Sequence, residues 1–369
     1  MEIRSKRYRS LVLSPQAQPH RRRRIGEYGL LAGLAILATL ASPLSSPASE
    51  IKGAPRLQNG DFENPTGPLS HGSFGTRSSF ILKRIASSFS DRESPPQKIA
   101  NDGSFLRANA GSSRATVTWV GHATLLVQMD GVSFLTDPAW TNTPSPIPGL
   151  GPQRFVKPGL AVDHLPPIDF VLISHNHYDH LDLGSLEALA QRSPETRFFV
   201  ALENAELLRS RGIDRVEEFD WGDSVSVGSV TIYCLPAQHW SQRGLLDRNR
   251  SLWASWAVIG PWRRFYFAGD TGYFAGFEAI GRGLGPFDLA AVPIGAYEPS
   301  AMMKAAHMNP EEAVSAARDL RARKAIAMHF GTFDLSNEPL DEPPRRFESA
   351  GAAAGQEVWV FDVGETRDF

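Results

Sequence analysis

A mixed α/β fold is the architecture that this 369-residue sequence predicts, and three observations carry it. From Ala115 onward, short β-branched and aromatic runs alternate with helical patterns, the ordering that lays helices against a sheet. Asp130-Gly131 separates two apolar runs, and that dipeptide suits the tight turn whose twist matches paired strands. Several strand-like runs end in a histidine or an aspartate, which gathers reactive side chains where strands give way to loops.

Taken in order, residues 116–120, 125–129 and 132–136 read as a three-stranded meander closed by Asp137-Pro138. Residues 143–158 form a long Pro/Gly-rich loop; loops of that length in compact domains usually serve function, so it is expected to border the site. Phe170-Val171-Leu172-Ile173 is a buried strand, and residues 183–189 take up a helical pattern. Next come a strand at 198–201, a short helix at 204–211 and a strand pair within 225–235 broken at Gly228. Residues 253–259 and 264–268 pair around Gly260-Pro261, and the second runs straight into Gly269-Asp270. A strand at 288–293, a helix at 310–320 and a strand at 325–329 follow. Asn309 suits the cap of that helix and Pro310 its first turn, where a missing N–H costs nothing. A helix near 344–354 and a strand at 358–361 complete the chain.

Three segments differ in texture. Residues 1–48 are basic, with Arg21-Arg22-Arg23-Arg24, and then apolar from Gly29 to Ala41. That apolar run is shorter than the about 20 residues of a membrane span and matches the core of an export signal. It predicts a cell-envelope protein, exported or anchored, with membrane association; a mispredicted start would leave the chain cytoplasmic. Residues 49–110 are rich in Ser, Pro, Gly and Asn and read as a linker that wraps onto the domain formed by 111–369. The net charge of −2 lacks the cationic surplus that phosphate neutralisation needs, which argues against a nucleic-acid partner. Cys234 is the only cysteine; it cannot form an internal disulfide and reads as a small core residue.

The densest stretch is Ser174-His175-Asn176-His177-Tyr178-Asp179-His180-Leu181-Asp182. Side chains alternate along an extended segment, so His175 and His177 face one side and can share an ion. Asp179 and His180 follow where the chain turns toward a helix and suit a second ion. Imidazole with carboxylate is a ligand set for zinc, with manganese or iron as alternatives. His239, Asp270 and His329 each sit at a strand end. The set closes on two ions, the first held by His175, His177 and His239, the second by Asp179, His180 and His329, with Asp270 bridging. A metal pair of this kind lowers the pKa of a bridging water and makes it a nucleophile at neutral pH.

These residues resemble the metal motif of the metallo-β-lactamase superfamily. Thr118 to Thr124, Gln238 to Arg243, Trp253 to Trp256, Phe267 to Tyr273 and Ile294 to Pro299 are similar to the N-acylphosphatidylethanolamine-hydrolysing phospholipase D branch. The resemblance covers roughly residues 114–345. It implies an αββα sandwich, two mixed sheets with helices outside, carrying two Zn2+ ions. It also implies a phosphodiesterase of phospholipid head groups in which the bridging hydroxide attacks phosphorus, with Asp179, Asp270 and His307 in the reaction. Trp240, Tyr297 and His307 become candidate substrate contacts. His122 reads as a residue that orients a ligand by hydrogen bond. His20, His71 and His164 read as surface residues. Trp253 and Trp256 suit the core, and Trp240, beside a ligand, suits a pocket wall. Because one scaffold hosts many chemistries, hydrolysis of a lactone, a β-lactam or a small phosphoester is the alternative. A non-catalytic envelope binding protein is a further one.

Overall fold

Two sheets face each other in the computed structural model, which describes residues 51, 53–70, 72–73, 75–76, 78–80, 95–147 and 149–369. The basic and apolar N-terminal segment read as an export signal or anchor lies outside the described residues. Among the described residues no helix is long and apolar enough to cross a membrane.

The first sheet is formed by β1 (Thr116–Gly121), β2 (Thr124–Met129), β3 (Val132–Thr136), β4 (Phe170–Ile173), β5 (Arg197–Ala201) and β6 (Val216–Phe219), with β14 (Thr366–Asp368) on its outer edge beside β1. The second is formed by β7 (Ser224–Val227), β8 (Val230–Leu235), β9 (Ser255–Ile259), β10 (Arg264–Phe267), β11 (Leu289–Pro293), β12 (Lys324–Met328) and β13 (Glu357–Trp359), in that order across the sheet. Each sheet is antiparallel in one half and parallel in the other: β14, β1, β2 and β3 are antiparallel neighbours, and β3 to β6 run parallel. The second sheet repeats this, antiparallel from β7 to β10 and parallel from β10 to β13.

Strands β1 to β5 of the first sheet are buried on both faces, and alternation sorts them. Leu125, Val127, Phe134, Phe170, Leu172 and Phe199 point between the sheets and join Ile232, Trp256 and Phe265 of the second. Their neighbours Leu126, Leu135, Val171, Ile173, Phe198 and Val200 point outward. There they meet Leu186 and Leu189 of α2 (Leu183–Arg192) and Leu208 of α3 (Ala205–Arg209). A short helix, α1 (Ser104–Asn109), precedes β1. Trp253 and Trp256 are core residues, 1% and 0% exposed, and the Trp256 indole N–H reaches the Ile173 carbonyl across the sandwich at 3.2 Å. Cys234 is likewise buried between the sheets.

Some elements depart from the expectation. Val216-Glu217-Glu218-Phe219 is a strand although two adjacent acids break its alternation; β6 lies at a sheet edge where one side meets water. The helix α4 (Gly276–Leu284) carries glycines that weaken its signal. Gly281 is required all the same, since a Cβ there would stand 2.1 Å from the Asp319 carbonyl oxygen at the end of α6 (Pro310–Asp319). The capping box of Asn309 and Glu312 at the start of α6 is formed, with Pro310 in the first turn. The remaining helices are α5 (Ser300–Met303) and α7 (Glu342–Ala354).

Candidate metal centre

Loops after the strands of both sheets meet at one rim, and several turn there through left-handed backbone. His122, Asp137, Ala296 and His329, which follow or closely follow β1, β3, β11 and β12, have φ of 54°, 34°, 61° and 59°. Gly269 adds φ 59° just before Asp270, and a Cβ on it would stand 2.6 Å from the Ser174 side chain. Such conformations are uncommon for residues other than glycine and cluster where the surrounding structure holds them.

The rim brings together all seven residues expected as ligands. His175 Nε2 lies 2.7 Å from His177 Nδ1, and His239 Nε2 lies 3.3 Å from the same nitrogen. Asp179 Oδ2 lies 3.4 Å from His180 Nε2 and 3.6 Å from His329 Nε2. Asp270 Oδ2 stands between the two groups, 3.0 Å from His329 Nε2, 3.2 Å from His180 Nε2 and 3.8 Å from His239 Nε2. Donors around one tetrahedral ion with bonds of about 2.0–2.1 Å are separated by about 3.3–3.5 Å, a range that the spacings of 3.2–3.6 Å match or closely approach. His177 Nε2, His180 Nε2, Asp270 Oδ1 and His329 Nε2 are buried without a hydrogen bond. Buried polar atoms normally have partners, and a cation supplies one for those that face it.

Charge agrees with this reading. His180 and its neighbours hold Asp179 and Asp270 well below the usual carboxylate range despite burial. Burial pushes His177 down to about 4, and His175 and His239 well below the usual imidazole value. Burial also opposes charge on His180 and His329, but the carboxylates of Asp270 and Asp179 prevail. They raise His180 well above its usual value and His329 to about 9.

Further contacts orient the ligands. Asp137, fully buried, accepts from the Ser174 N–H at 2.7 Å and from its hydroxyl at 2.5 Å, and meets His180 Nδ1 at 2.6 Å. Ser174 Oγ lies 2.8 Å from His175 Nδ1, and His239 Nδ1 donates to the Ala306 carbonyl at 3.0 Å. In each case the far nitrogen is tied and Nε2 is turned to the centre, the usual arrangement around metal-bound histidine. His122 Nε2 sits 2.9 Å from Asp179 Oδ2, in the orienting position expected of it. Asp137 was legible only as the end of a meander; its Asp-Pro context carries no sign of this role.

The candidate substrate contacts separate. His307 Nδ1 is 3.9 Å from Asp270 Oδ2, and burial lowers its pKa to about 4. The Trp240 ring packs on His177 with centroids 4.3 Å apart. Tyr297 lines the same cleft as His307, together with Lys304 and Arg346, but its hydroxyl is engaged, donating to Glu342 at 2.9 Å. Trp262 is 75% exposed in the β9–β10 turn, at the opposite end of β10 from Asp270. His164 is exposed, as expected, and His20 and His71 lie outside the described residues. The loop at 143–158 reaches the rim through Arg154, whose guanidinium stacks on Phe333; that ring packs against His122.

Residues 133–330 match the β-lactamase superfamily domain. The chain is 40% identical to N-acyl-phosphatidylethanolamine-hydrolyzing phospholipase D 1 of Caenorhabditis elegans, over 89% of this chain and 98% of that one. A match of that length runs well into the first 110 residues, beyond the span expected. Identity to the mitochondrial N-acyl-phosphatidylethanolamine-hydrolyzing phospholipase D of Saccharomyces cerevisiae is 34%, over 68% of this chain and 55% of that one. Among solved structures, a metallo hydrolase of Ignicoccus hospitalis superposes with a TM-score of 0.53 at 24% identity, covering 69% of this chain and 98% of that one. The chain belongs to the metallo-β-lactamase superfamily, as a metal-dependent hydrolase similar to the N-acylphosphatidylethanolamine-hydrolysing phospholipases D.

Proposed function

We propose that the protein is a dinuclear zinc phosphodiesterase that cleaves phospholipid head groups. The observation that carries the reading is Asp270 Oδ2, placed within 3.0–3.8 Å of nitrogens from both histidine groups. His175, His177 and His239 would hold one ion, Asp179, His180 and His329 the other, and Asp270 both. Bound there, such a pair supplies Lewis acidity and an activated water at neutral pH.

The chain's own residues then position and protect. Asp137 and His122 keep His180 and Asp179 aimed inward. His307, neutral at pH 7 with its pKa near 4, presents an imidazole at the cleft that holds a substrate oxygen by hydrogen bond. Two clefts flank the cluster: a charged one with Lys304 and Arg346 on the His307 side, and a narrow one of mixed lining beside His122 and His329, where Phe330, Phe333 and Leu335 meet Ser336 and Glu338. What supports a phospholipid head group as the substrate is the similarity to the N-acylphosphatidylethanolamine-hydrolysing phospholipases D. Export or anchoring by residues 1–48 would bring the site to envelope lipid. The narrowness of the cleft beside His122 and His329 favours, as a second reading, hydrolysis of a lactone, a β-lactam or a small phosphoester.

The test is phosphatidic acid release from N-acylphosphatidylethanolamine by purified protein, with and without chelator, beside Asp270→Asn. Turnover that needs metal and is lost in the variant is expected, since Asp270 would be a ligand common to both ions. Absence of turnover by protein carrying two ions would move the assignment to the smaller substrates.

A further inference from the structure

The segment from Gly53 to Thr66 lies outside residues 133–330 and holds none of the candidate ligands, yet it is bound into the metal centre. Its backbone is anchored at both ends of a small loop: the Ala54 N–H donates to Asp220 at 2.8 Å, and the Phe62 N–H to the Asn249 carbonyl at 2.8 Å. The Phe62 side chain is 1% exposed in the main core. Two residues on, the Asn64 amide meets both backbone groups of His239. Its Nδ2 donates to the His239 carbonyl at 2.8 Å, and its Oδ1 accepts from the His239 N–H at 2.9 Å. Thr66 continues the contact, donating to Gln238 Oε1 at 2.6 Å, and Gln238 Nε2 donates to the Ala305 carbonyl at 3.1 Å. The next carbonyl, of Ala306, accepts from His239 Nδ1.

His239 needs such a clamp. It follows the end of β8 in a coil, so no sheet ladder pairs its backbone, and it is fully buried, so no water does. Asn64 supplies a donor and an acceptor spaced for the C=O and N–H of one residue, as a neighbouring strand would.

We propose that Asn64 is a positioning residue for the metal ligand His239, and that residues 53–66 are a working part of the metal centre. The inference rests on reading the cluster as a metal site and on nothing about the substrate. It predicts a selective defect. Loss of the clamp lets the first group's third ligand drift, whereas Asp179, His180 and His329 keep their own supports.

The test is titration of metal-free, full-length protein with Zn2+ against a competing chelator, for wild type and Asn64→Ala. Two ions are expected in the wild type. In Asn64→Ala one should weaken by about tenfold or more, the lower range for loss of a ligand's supporting contact, while the other stays within about twofold. Should Asn64→Ala fail to fold, Asn64→Asp carries the test. It keeps the oxygen that accepts from His239 and loses the donor, and should weaken the same ion by a smaller factor. Two ions held at wild-type affinity in the folded variant, or both weakened equally, would overturn the inference. A wild-type protein that takes up no ion would overturn the metal-centre reading and this one with it.

Discussion

The two histidine groups stand side by side on one rim, yet the protein holds them in opposite electrical states. His175, His177 and His239 are all depressed by burial and stay neutral without metal. His180 and His329 sit in the same depth of protein but against Asp179, Asp270 and Asp137, and there the carboxylates outweigh burial. Supports differ in the same sense. The first group touches neutral partners, Ser174, the Ala306 carbonyl and Asn64, and reaches Asp137 only through Ser174, while the second meets the buried Asp137 and His122 directly. Geometry alone would make the pair look equivalent; the placement of carboxylates makes the second group the more strongly charged.

The sharpest way to break this contrast is Asp137→Ala. It strips His180 Nδ1 and the Ser174 N–H of their shared acceptor. Zn2+ affinity at the second group should fall by about a hundredfold, and the metal-free protein should lose about 3 kcal/mol, the cost of orphaning a buried charged partner. Chelator competition and urea unfolding read the two effects. A smaller loss is expected at the first group, which meets Asp137 only through Ser174; an equal loss at both would mean that the direct contact to His180 carries no more than the relayed one.

A pH series on metal-free protein sharpens the same contrast. His177 and His307, at about 4, and His122, at about 3, have folded pKa values below the unfolded value of about 6.5. The unfolded chain therefore takes up protons first, and stability falls as pH drops from about 6.5 toward 4. His329, raised to about 9, has the opposite sign: its contribution is complete below about 6.5 and is lost as pH rises through about 9. Melting temperature should decline on both sides, and His329→Asn should make the alkaline limb shallower, with His180 retaining its share, while leaving the acid one. An unchanged alkaline limb would show that the carboxylates do not hold that proton. The smallest effect is expected at Trp262→Ser. Three-quarters exposed and at the far end of β10, that change should alter stability by less than about 0.5 kcal/mol and leave turnover intact.

Much of the site was legible in the residues because ligands concentrate in short runs at strand ends. The spacing of His175, His177, Asp179 and His180 follows from an extended segment entering a turn, a local property, and the structure places all four at the centre. His239, Asp270 and His329 were readable by the same rule, each after a strand. Asp137 and Asn64 were not. Both are ordinary turn or loop residues whose roles arise from contacts 43 and 175 positions away. Tyr297 shows the converse: a residue marked by resemblance spends its hydroxyl on Glu342 in α7, which no local pattern announces.

By itself, then, the sequence determined the elements and their order, since alternation, turn residues and caps act within a few positions. It also determined the donor types, because imidazole and carboxylate keep their chemistry wherever they fall. Tertiary structure alone decided which donors share an ion, which histidines carry charge and which distant residues brace them. Each of those depends on through-space distances of a few ångströms between strands of different sheets, and burial there makes both a carboxylate's field and an unmet hydrogen bond count for far more than in water.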